Sequence, residues 1–203
     1  MTGGSGALAI TPGQTVGPFF GYALPCPGGE LLVPEHHPDA VRLHGTVTDG
    51  DGQPVPDALL EIWQSDGDAQ VGQQPGSLHR DGYTFTGWGR AATDPAGHYQ
   101  FSTLEPSRSN APPFIALTIF ARGLMHRLQT RIYLPGPAAL PSALENDPFL
   151  SSVPADRRAT LIADRDGVRS LRFDVHLQGP GETVFLSFAS ANRSPRRIGR
   201  NDG

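Results

Sequence analysis

Short stretches of alternating apolar and polar residues, separated by glycine and proline clusters, restrict this chain to a strand-and-turn architecture. Over residues 41–47, Val41, Leu43, Gly45 and Val47 alternate with charged and polar side chains. An alternation of period two is typical of a strand with one buried face. Turn clusters such as DGDGQP interrupt these stretches. The 25 glycines and 20 prolines among 203 residues fit a strand-and-turn protein better than a helical one.

Further stretches of this kind predict an all-β fold. We predict strands over residues 58–63, 98–104, 114–123, 128–134, 171–177 and 182–188. Short strands joined by glycine and proline turns are typical of an antiparallel β-sandwich with long loops. The one short helix that we predict covers residues 154–163, with Pro154 at its first position.

The sequence divides into one domain and two terminal extensions. Residues 10–190 contain all the predicted elements and form a single β-sandwich domain. Residues 1–9 are small and predicted to be flexible, and residues 191–203 form an arginine-rich tail. A globule of this size buries roughly 70% of the surface of its unfolded chain. We therefore expect a core that needs neither disulfides nor a structural metal.

Charge and cysteine content narrow the function classes. The formal net charge is -4, so the chain lacks a general basic field that would recruit nucleic acid or a membrane surface. The single cysteine, Cys26, excludes an internal disulfide framework and favours a reducing compartment. The first residues do not resemble a signal peptide, and no apolar stretch approaches the ~18 residues of a membrane span. We expect a cytoplasmic protein.

The sequence shows no self-contained catalytic or metal-binding motif. Nucleophile elbows, zincin motifs, paired cysteines and phosphate loops are missing from it. His36 and His37 are adjacent, and neighbouring side chains on an extended backbone point in opposite directions. The other histidines lack a partner at a metal-ligand spacing. We therefore predict no catalytic residue and no metal ligand in this chain alone.

Two longer phrases carry a family resemblance. HGTVTDGDGQPVPDALLEIWQSD and GWGRAATDPAGHYQFSTLEP resemble the core of the intradiol ring-cleaving dioxygenases. The first part is also shared with transthyretin-like sandwiches, whereas EIWQ and GWGR are more specific. TPGQTVGPFF, FARGLMHRLQTRIYLPG and GPGETVFLSF extend the resemblance over roughly residues 10–190. It implies a sandwich of the intradiol dioxygenase type and an enzyme that opens catechols with non-haem Fe(III) and O2.

The resemblance also exposes a departure from the family pattern. Catalytic chains of the family hold iron with two tyrosines and two histidines, because Fe(III) is hard and prefers phenolate oxygens completed by imidazoles. The matching positions here are Ala69, residues 107–109 (Ser-Arg-Ser) and residues 114–116 (Phe-Ile-Ala). The resemblance therefore implies that a homologous partner chain, and not this one, binds the Fe(III).

The same resemblance nominates substrate-binding residues. Thr15, Gly17 and Pro18 in TPGQTVGP and Arg131 in HRLQTRIY match positions that reach the active site of the partner chain. A guanidinium offers a fixed fork for a substrate carboxylate. The alternative for Arg131 is a surface or interface salt bridge. Phe19 stands where the family often has tyrosine, and both phenylalanines of the segment are expected to anchor it.

Together these features predict one subunit of a hetero-oligomeric enzyme built from several pairs of an iron-binding chain and this chain. Its substrates are an aromatic dihydroxy acid and O2, and the isolated chain is expected to be inactive. The alternative is a non-enzymatic, transthyretin-like β-sandwich binding module, which the shared phrase and the missing ligands support. That alternative gives no reason for the composition of residues 11–20. A stand-alone enzyme with a rearranged metal site is a third hypothesis.

Overall fold

Two β-sheets and a few short helices make up the computed structural model, which describes residues 15, 17, 20–72, 80–108, 110–136 and 141–187. The predictions for residues 1–9 and 191–203, and those for Pro18 and Phe19, lie outside the described residues. No helix in the described part of the chain has the length and apolar character needed to cross a bilayer.

The strands and helices are short and follow one another with long connections. The strands are β1 Val41–Thr48, β2 Leu59–Trp63, β3 Trp88–Ala92, β4 His98–Thr103, β5 Phe114–Phe120, β6 Leu128–Tyr133, β7 Asp164–Gly167, β8 Ser170–Arg172 and β9 Val175–His176. The helices are α1 Phe20–Ala23, α2 Pro141–Asn146 and α3 Pro148–Ser152, with a 3-10 helix over Arg158–Leu161.

The strands form a two-sheet sandwich, as predicted. The first sheet has the order β4-β1-β8-β7, with β9 also paired to β1, and the second has the order β3-β2-β5-β6. Pairing is antiparallel except between β1 and both β8 and β9, which run parallel to it. The first sheet is therefore mixed, in contrast to the prediction. Parallel pairing needs a long crossover, and the chain between β1 and β8, which includes the second sheet, α2 and α3, supplies it.

The main core lies between the two sheets. Leu43 and Val47 from β1 meet Leu60 and Ile62 from β2 in one apolar cluster, and all four side chains are fully buried. The alternation predicted for β1 is observed, since its odd-numbered residues are buried. At Gly45 an added Cβ would lie 1.9 Å from the carbonyl oxygen of Phe173, so glycine lets the backbone approach closely here.

Replacement of Tyr99 by phenylalanine tests the packing between β4 and the segment after β8. Tyr99 is 3% exposed, and its hydroxyl donates to the Phe173 carbonyl at 2.6 Å. We expect Tyr99→Phe to lower the free energy of unfolding by about 1–2 kcal/mol, because a buried hydrogen bond is lost. Urea unfolding of the full chain measures this. Tyr83→Phe, at a site 96% exposed, should leave the free energy of unfolding unchanged. Equal stabilities of the two variants would refute the expectation.

A second apolar cluster lies on the outer face of the second sheet. Ile132 belongs to the main core, whereas its neighbour Tyr133 belongs to this second cluster. Successive residues of a strand point to opposite faces, so β6 contributes to both clusters. The members of the second cluster are Tyr133, Ala143, Leu150, Val153 and Leu161. The Tyr133 end of the outer face of β6 is thus covered by α2, α3 and the 3-10 helix.

The helix predicted over residues 154–163 is wrong. A turn precedes the 3-10 helix Arg158–Leu161, and the α-helices lie earlier, at α2 and α3. Leu161 is fully buried in the second cluster, and the Ala163 amide donates to the Tyr133 carbonyl at 3.0 Å. Because of these contacts the backbone is extended just before β7, and the helix does not continue.

The last predicted strand, over residues 182–188, is wrong for its described part, which is not a strand in residues 182–187. The segment nevertheless follows β6. The Leu186 amide donates to the Gln129 carbonyl at 2.7 Å, and the Thr130 hydroxyl donates to the Val184 carbonyl at 2.7 Å. Because one of these bonds comes from a side chain, the contact does not build a regular ladder.

Candidate functional site

A cavity of about 580 Å³ opens on the outer face of the second sheet. A row of residues in register across three strands lies against it, since Trp63 on β2 pairs with Ala116 on β5, and Ala116 pairs with Arg131 on β6. The loop residues Ser65 and Ala69 add to the wall. Its volume lies within the range of small-molecule sites, roughly 300–1,000 Å³.

A larger hollow, of about 710 Å³, lies against the first sheet. Two of its lining residues are engaged with carboxylates: His44 Nε2 lies 2.9 Å from an Asp166 oxygen, and Arg172 forms an ion pair with Asp174 at 2.8 Å. None of the described site residues predicted from the sequence lines this hollow. The cavity on the second sheet is therefore the stronger candidate for function.

The stretches that align with the iron ligands of the family converge on the candidate cavity. Ala69, Ser107, Phe114 and Ala116 all line it. Ile115 instead points into the main core, where it is fully buried. The loop after β2, the loop after β4 and the start of β5 therefore meet at one cavity.

The donor set of this cavity does not fit Fe(III). Its lining side chains are apolar, amide, hydroxyl or guanidinium groups. Hard Fe(III) is held by anionic oxygens and imidazoles, neither of which lines the cavity among the described residues. Within the same residues, no group of three or more histidine, cysteine, aspartate or glutamate side chains could hold a metal ion.

Ala69 has an unusual backbone. Its φ of 62° makes it the sole non-glycine residue with positive φ in the described part of the chain. The Asp66 carboxylate fixes this turn by accepting from the amides of Asp68 and Gln70 at 2.9 and 2.7 Å. A left-handed conformation costs an L-residue roughly 1–2 kcal/mol. The loop thus holds residue 69 at the cavity wall at the expense of local strain.

Replacement of Ala69 by glycine should relieve this strain. We expect Ala69→Gly to raise the free energy of unfolding by about 0.5–1 kcal/mol, since glycine loses more entropy on folding but adopts positive φ freely. Ala92→Gly, in the exposed last position of β3, should lower it instead. Thermal unfolding of both variants checks that the free energy of unfolding changes in opposite directions. Destabilisation by Ala69→Gly would contradict the assignment of strain to Ala69.

Arg131 projects from β6 onto the outer face. Its Nη1 donates to both Asp147 carboxylate oxygens, at 3.2 and 3.1 Å, and to the Tyr133 hydroxyl at 3.2 Å. The guanidinium carbon lies 4.2 Å from the ring centroid of Phe114 and 5.1 Å from that of Phe149. The side chain remains 26% exposed. Arg131 is thus held by an ion pair and two aromatic rings while still facing the cavity.

Asp147 is the buried centre of this network. It is 2% exposed and caps α3 by accepting from the amides of Phe149 and Leu150 at 3.0 and 3.2 Å. Its other oxygen accepts from the Tyr133 hydroxyl at 2.8 Å. Burial raises the pKa of Tyr133, so its hydroxyl stays protonated and can donate this hydrogen bond. The carboxylate therefore joins β6 to the start of α3.

A second arginine adds positive charge at the cavity. Arg108 Nη1 lies 3.8 Å from Asp147, and the guanidinium lies 4.9 Å from the centre of the Phe114 ring. Arg108 and Arg131 together face one carboxylate, Asp147. In this group of three charged side chains one positive charge is in excess, which suits an anionic ligand.

The predicted site residues occupy different parts of the structure. Arg131 lines the cavity, whereas Thr15 and Gly17 are exposed in the segment before α1. A Cβ added at Gly17 would meet no atom within 4 Å. Pro18 lies outside the described residues. The convergence of Arg131 with this segment at a pocket of the partner chain stays a prediction.

Sequence reasoning missed Asp147 and Arg108. Asp147 immediately precedes Pro148, and an aspartate followed by proline is a helix-start signal. That signal identifies α3 but not the ion pair, because the partners Arg131 and Asp147 come together only in the tertiary structure. Tyr133, two residues after Arg131, is fully buried within this chain and also belongs to this network.

Comparisons with known proteins agree with this geometry. Residues 16–113 match the dioxygenase family model. The chain is 40% identical to the protocatechuate 3,4-dioxygenase alpha chain of Burkholderia cepacia, over 88% of this chain and 98% of that relative. The corresponding alpha chain of Pseudomonas putida is 35% identical, over 89% and 98%. The beta chain of the Burkholderia cepacia enzyme is 30% identical, over 71% and 67%.

Solved structures support the fold. The dioxygenase domain of a carbohydrate-binding fusion protein from Streptomyces sp. SirexAA-E superposes with a TM-score of 0.53 at 23% identity, over 84% of this chain and 99% of that chain. An intradiol ring-cleavage dioxygenase from Tetranychus urticae gives 0.52 at 15% identity, over 72% and 84%. The matches give no support to a transthyretin-like binding module. The chain belongs to the intradiol dioxygenase family, in which it is similar to the alpha chains of protocatechuate 3,4-dioxygenase.

Proposed function

We propose that this chain is the subunit of a protocatechuate 3,4-dioxygenase that does not bind the metal. One observation carries the proposal: the described positions that the resemblance matches to iron ligands, apart from Ile115, line a single cavity whose donor set does not fit Fe(III). The 40% identity to an alpha chain over nearly its full length supports it. The complete enzyme converts protocatechuate and O2 to 3-carboxy-cis,cis-muconate, a step of aromatic catabolism in the cytoplasm.

The partner is a homologous chain that supplies the Fe(III) and its ligands. The 30% identity of this chain to a beta chain supports a pair of related subunits. In keeping with the family resemblance, several such pairs assemble into a hetero-oligomer. Both oxygen atoms of O2 enter the product, and the reaction therefore needs no external reductant.

This chain contributes binding and orientation. Arg131, together with the excess positive charge around it, attracts the ring carboxylate that distinguishes protocatechuate from catechol. Thr15, Gly17 and Pro18 form a wall of the pocket in the partner chain. The exposure of Thr15 and Gly17 supports this role, because a segment that contacts a second chain must be accessible in the single chain.

Co-expression with the homologous, iron-binding partner chain tests the proposal. The two chains should purify together and take up one O2 for each protocatechuate consumed, whereas each chain alone should be inactive. A tag on this chain alone allows the capture. The proposal fails if the partner turns over protocatechuate at the same rate in the absence of this chain.

A further inference from the structure

Arg90 ties the segment before β1 to the edge of the second sheet. Its Nε and Nη2 donate to one oxygen of Glu61 at 2.9 and 2.5 Å, and its Nη1 donates to the Leu24 carbonyl at 2.8 Å. The guanidinium carbon lies 5.1 Å from the centre of the Trp88 ring. Glu61 and Arg90 face each other in register across β2 and β3. The sheet itself therefore fixes the guanidinium that holds Leu24.

A second connection follows at Gly29. The Arg90 amide donates to the Gly29 carbonyl at 2.8 Å, and the Arg80 guanidinium donates to the same oxygen at 3.2 Å. The Gly29 amide in turn donates to the Cys26 carbonyl at 2.8 Å. A Cβ on Gly29 would lie 2.9 Å from the Arg90 carbonyl oxygen. The backbone of this segment thus rests directly on the edge strand.

A continuous run of bonds leads from Arg90 towards the N-terminus. Leu24, whose carbonyl Arg90 holds, donates from its amide to the Phe20 carbonyl at 3.1 Å. The Phe20 amide donates to the Gly17 carbonyl at 3.2 Å, and the Phe20 side chain is 8% exposed. Because α1 is a single turn, it is not stable on its own. The position of Gly17 therefore depends on the burial of Phe20 and on the attachment at Leu24.

We propose that Arg90 is a positioning residue for the reaction. It holds the segment from residue 20 to residue 29 so that the adjoining Thr15 and Gly17 keep their place in the substrate pocket. The inference rests on the proposed function, which gives these two residues their role. The Arg90 side chain acts through the Leu24 carbonyl and does not itself touch the substrate, whereas the bond to Gly29 comes from the backbone amide and is kept in any variant.

The test uses the complex with the iron-binding partner and two readouts. Arg90→Gln removes the ion pair to Glu61 and the Nη1 hydrogen bond to the Leu24 carbonyl, and Arg90→Lys retains one charged donor. We expect Arg90→Gln to raise KM for protocatechuate about 5–20-fold with kcat within about twofold, since ground-state binding is what loosens. Arg90→Lys should recover part of the loss. Arg165→Gln, which breaks an exposed ion pair to Glu105, is the control and should leave KM unchanged.

Cys26 gives the second readout, because it is the single cysteine of this chain and lies inside the held segment. We expect N-ethylmaleimide to modify Cys26 about tenfold faster in Arg90→Gln than in the wild-type complex, as measured by mass spectrometry of the peptide that contains it. Glu61→Gln, which weakens the same ion pair without changing Arg90, should give a smaller increase.

The outcomes separate this inference from the proposed function. Unchanged labelling in Arg90→Gln shows that Arg90 does not hold the segment and overturns the inference. Faster labelling with an unchanged KM shows that the segment moves without affecting the substrate, which also overturns it. Failure of the proposed function appears earlier, as a wild-type complex without activity, and removes the basis of the inference.

Discussion

Asp147→Ala is expected to lower the free energy of unfolding by about 2–4 kcal/mol. Breaking a buried ion pair costs roughly 3–5 kcal/mol, and the lower range applies because Arg131 is 26% exposed. The substitution also removes the cap of α3 and leaves the buried Tyr133 hydroxyl without its acceptor. One carboxylate bonds to β6, caps α3 and pairs with Arg131 at the cavity, so its loss affects all three.

Two matched variants separate the contributions to the loss of stability in Asp147→Ala. Asp147→Asn keeps an acceptor for the α3 amides but loses the charge opposite Arg131, so we expect about half the effect. Asp156→Ala removes an exposed carboxylate from a nearby turn and should change stability by less than about 0.5 kcal/mol. Urea unfolding of the full chain gives the three values. A cost for Asp147→Ala no larger than that for Asp156→Ala would show that the network contributes nothing.

Arg131→Ala in the complex is expected to raise KM for protocatechuate about 10–100-fold. Hydrogen bonds to a charged group contribute roughly 1.5–3 kcal/mol, and each factor of ten corresponds to about 1.4 kcal/mol. Catechol lacks the ring carboxylate, so its KM should change much less. The comparison between the rise in KM for protocatechuate and the rise in KM for catechol is more informative than either rise alone. Any loss of stability from the unpaired Asp147 affects both substrates alike.

Arg131→Lys and Arg127→Ala complete this experiment. Lysine keeps a positive charge beside Asp147 but loses the planar fork, so KM for protocatechuate should rise less than in the alanine variant. Arg127 is exposed just before β6, and its replacement should leave both substrates unaffected. Equal losses on protocatechuate and catechol in Arg131→Ala would assign Arg131 to the structural ion pair with Asp147 alone.

The strands were predictable because their signal is local. The stretches at 41–47 and 98–104 alternate with a period of two, and the stretch at 58–63 is almost continuously apolar and bounded by turns. The observed strands β1, β2 and β4 follow these limits closely. By contrast, the parallel pairing of β8 with β1 joins residues 128 positions apart, such as Arg42 and Ser170. Nothing in the short-range pattern specifies it.

The candidate site was predictable only in part. The resemblance identified Ala69, residues 107–109 and residues 114–116 as one set, and the structure brings the described members except Ile115 to one cavity. The charge network around Asp147 escaped prediction, because an ion pair between distant residues leaves no periodic signal. The wrong helix at residues 154–163 has a similar origin, since the burial of Leu161 against Tyr133 overrides a local proline signal.

The central claim is that this chain completes an iron enzyme without holding the iron. Metal analysis by mass spectrometry tests it most directly, on the chain purified alone and on the complex with its homologous partner. We predict no stoichiometric iron in the isolated chain and one iron for each pair of chains in the complex, together with the colour of a tyrosinate bound to Fe(III). One tightly bound iron in the isolated, folded chain would contradict the account.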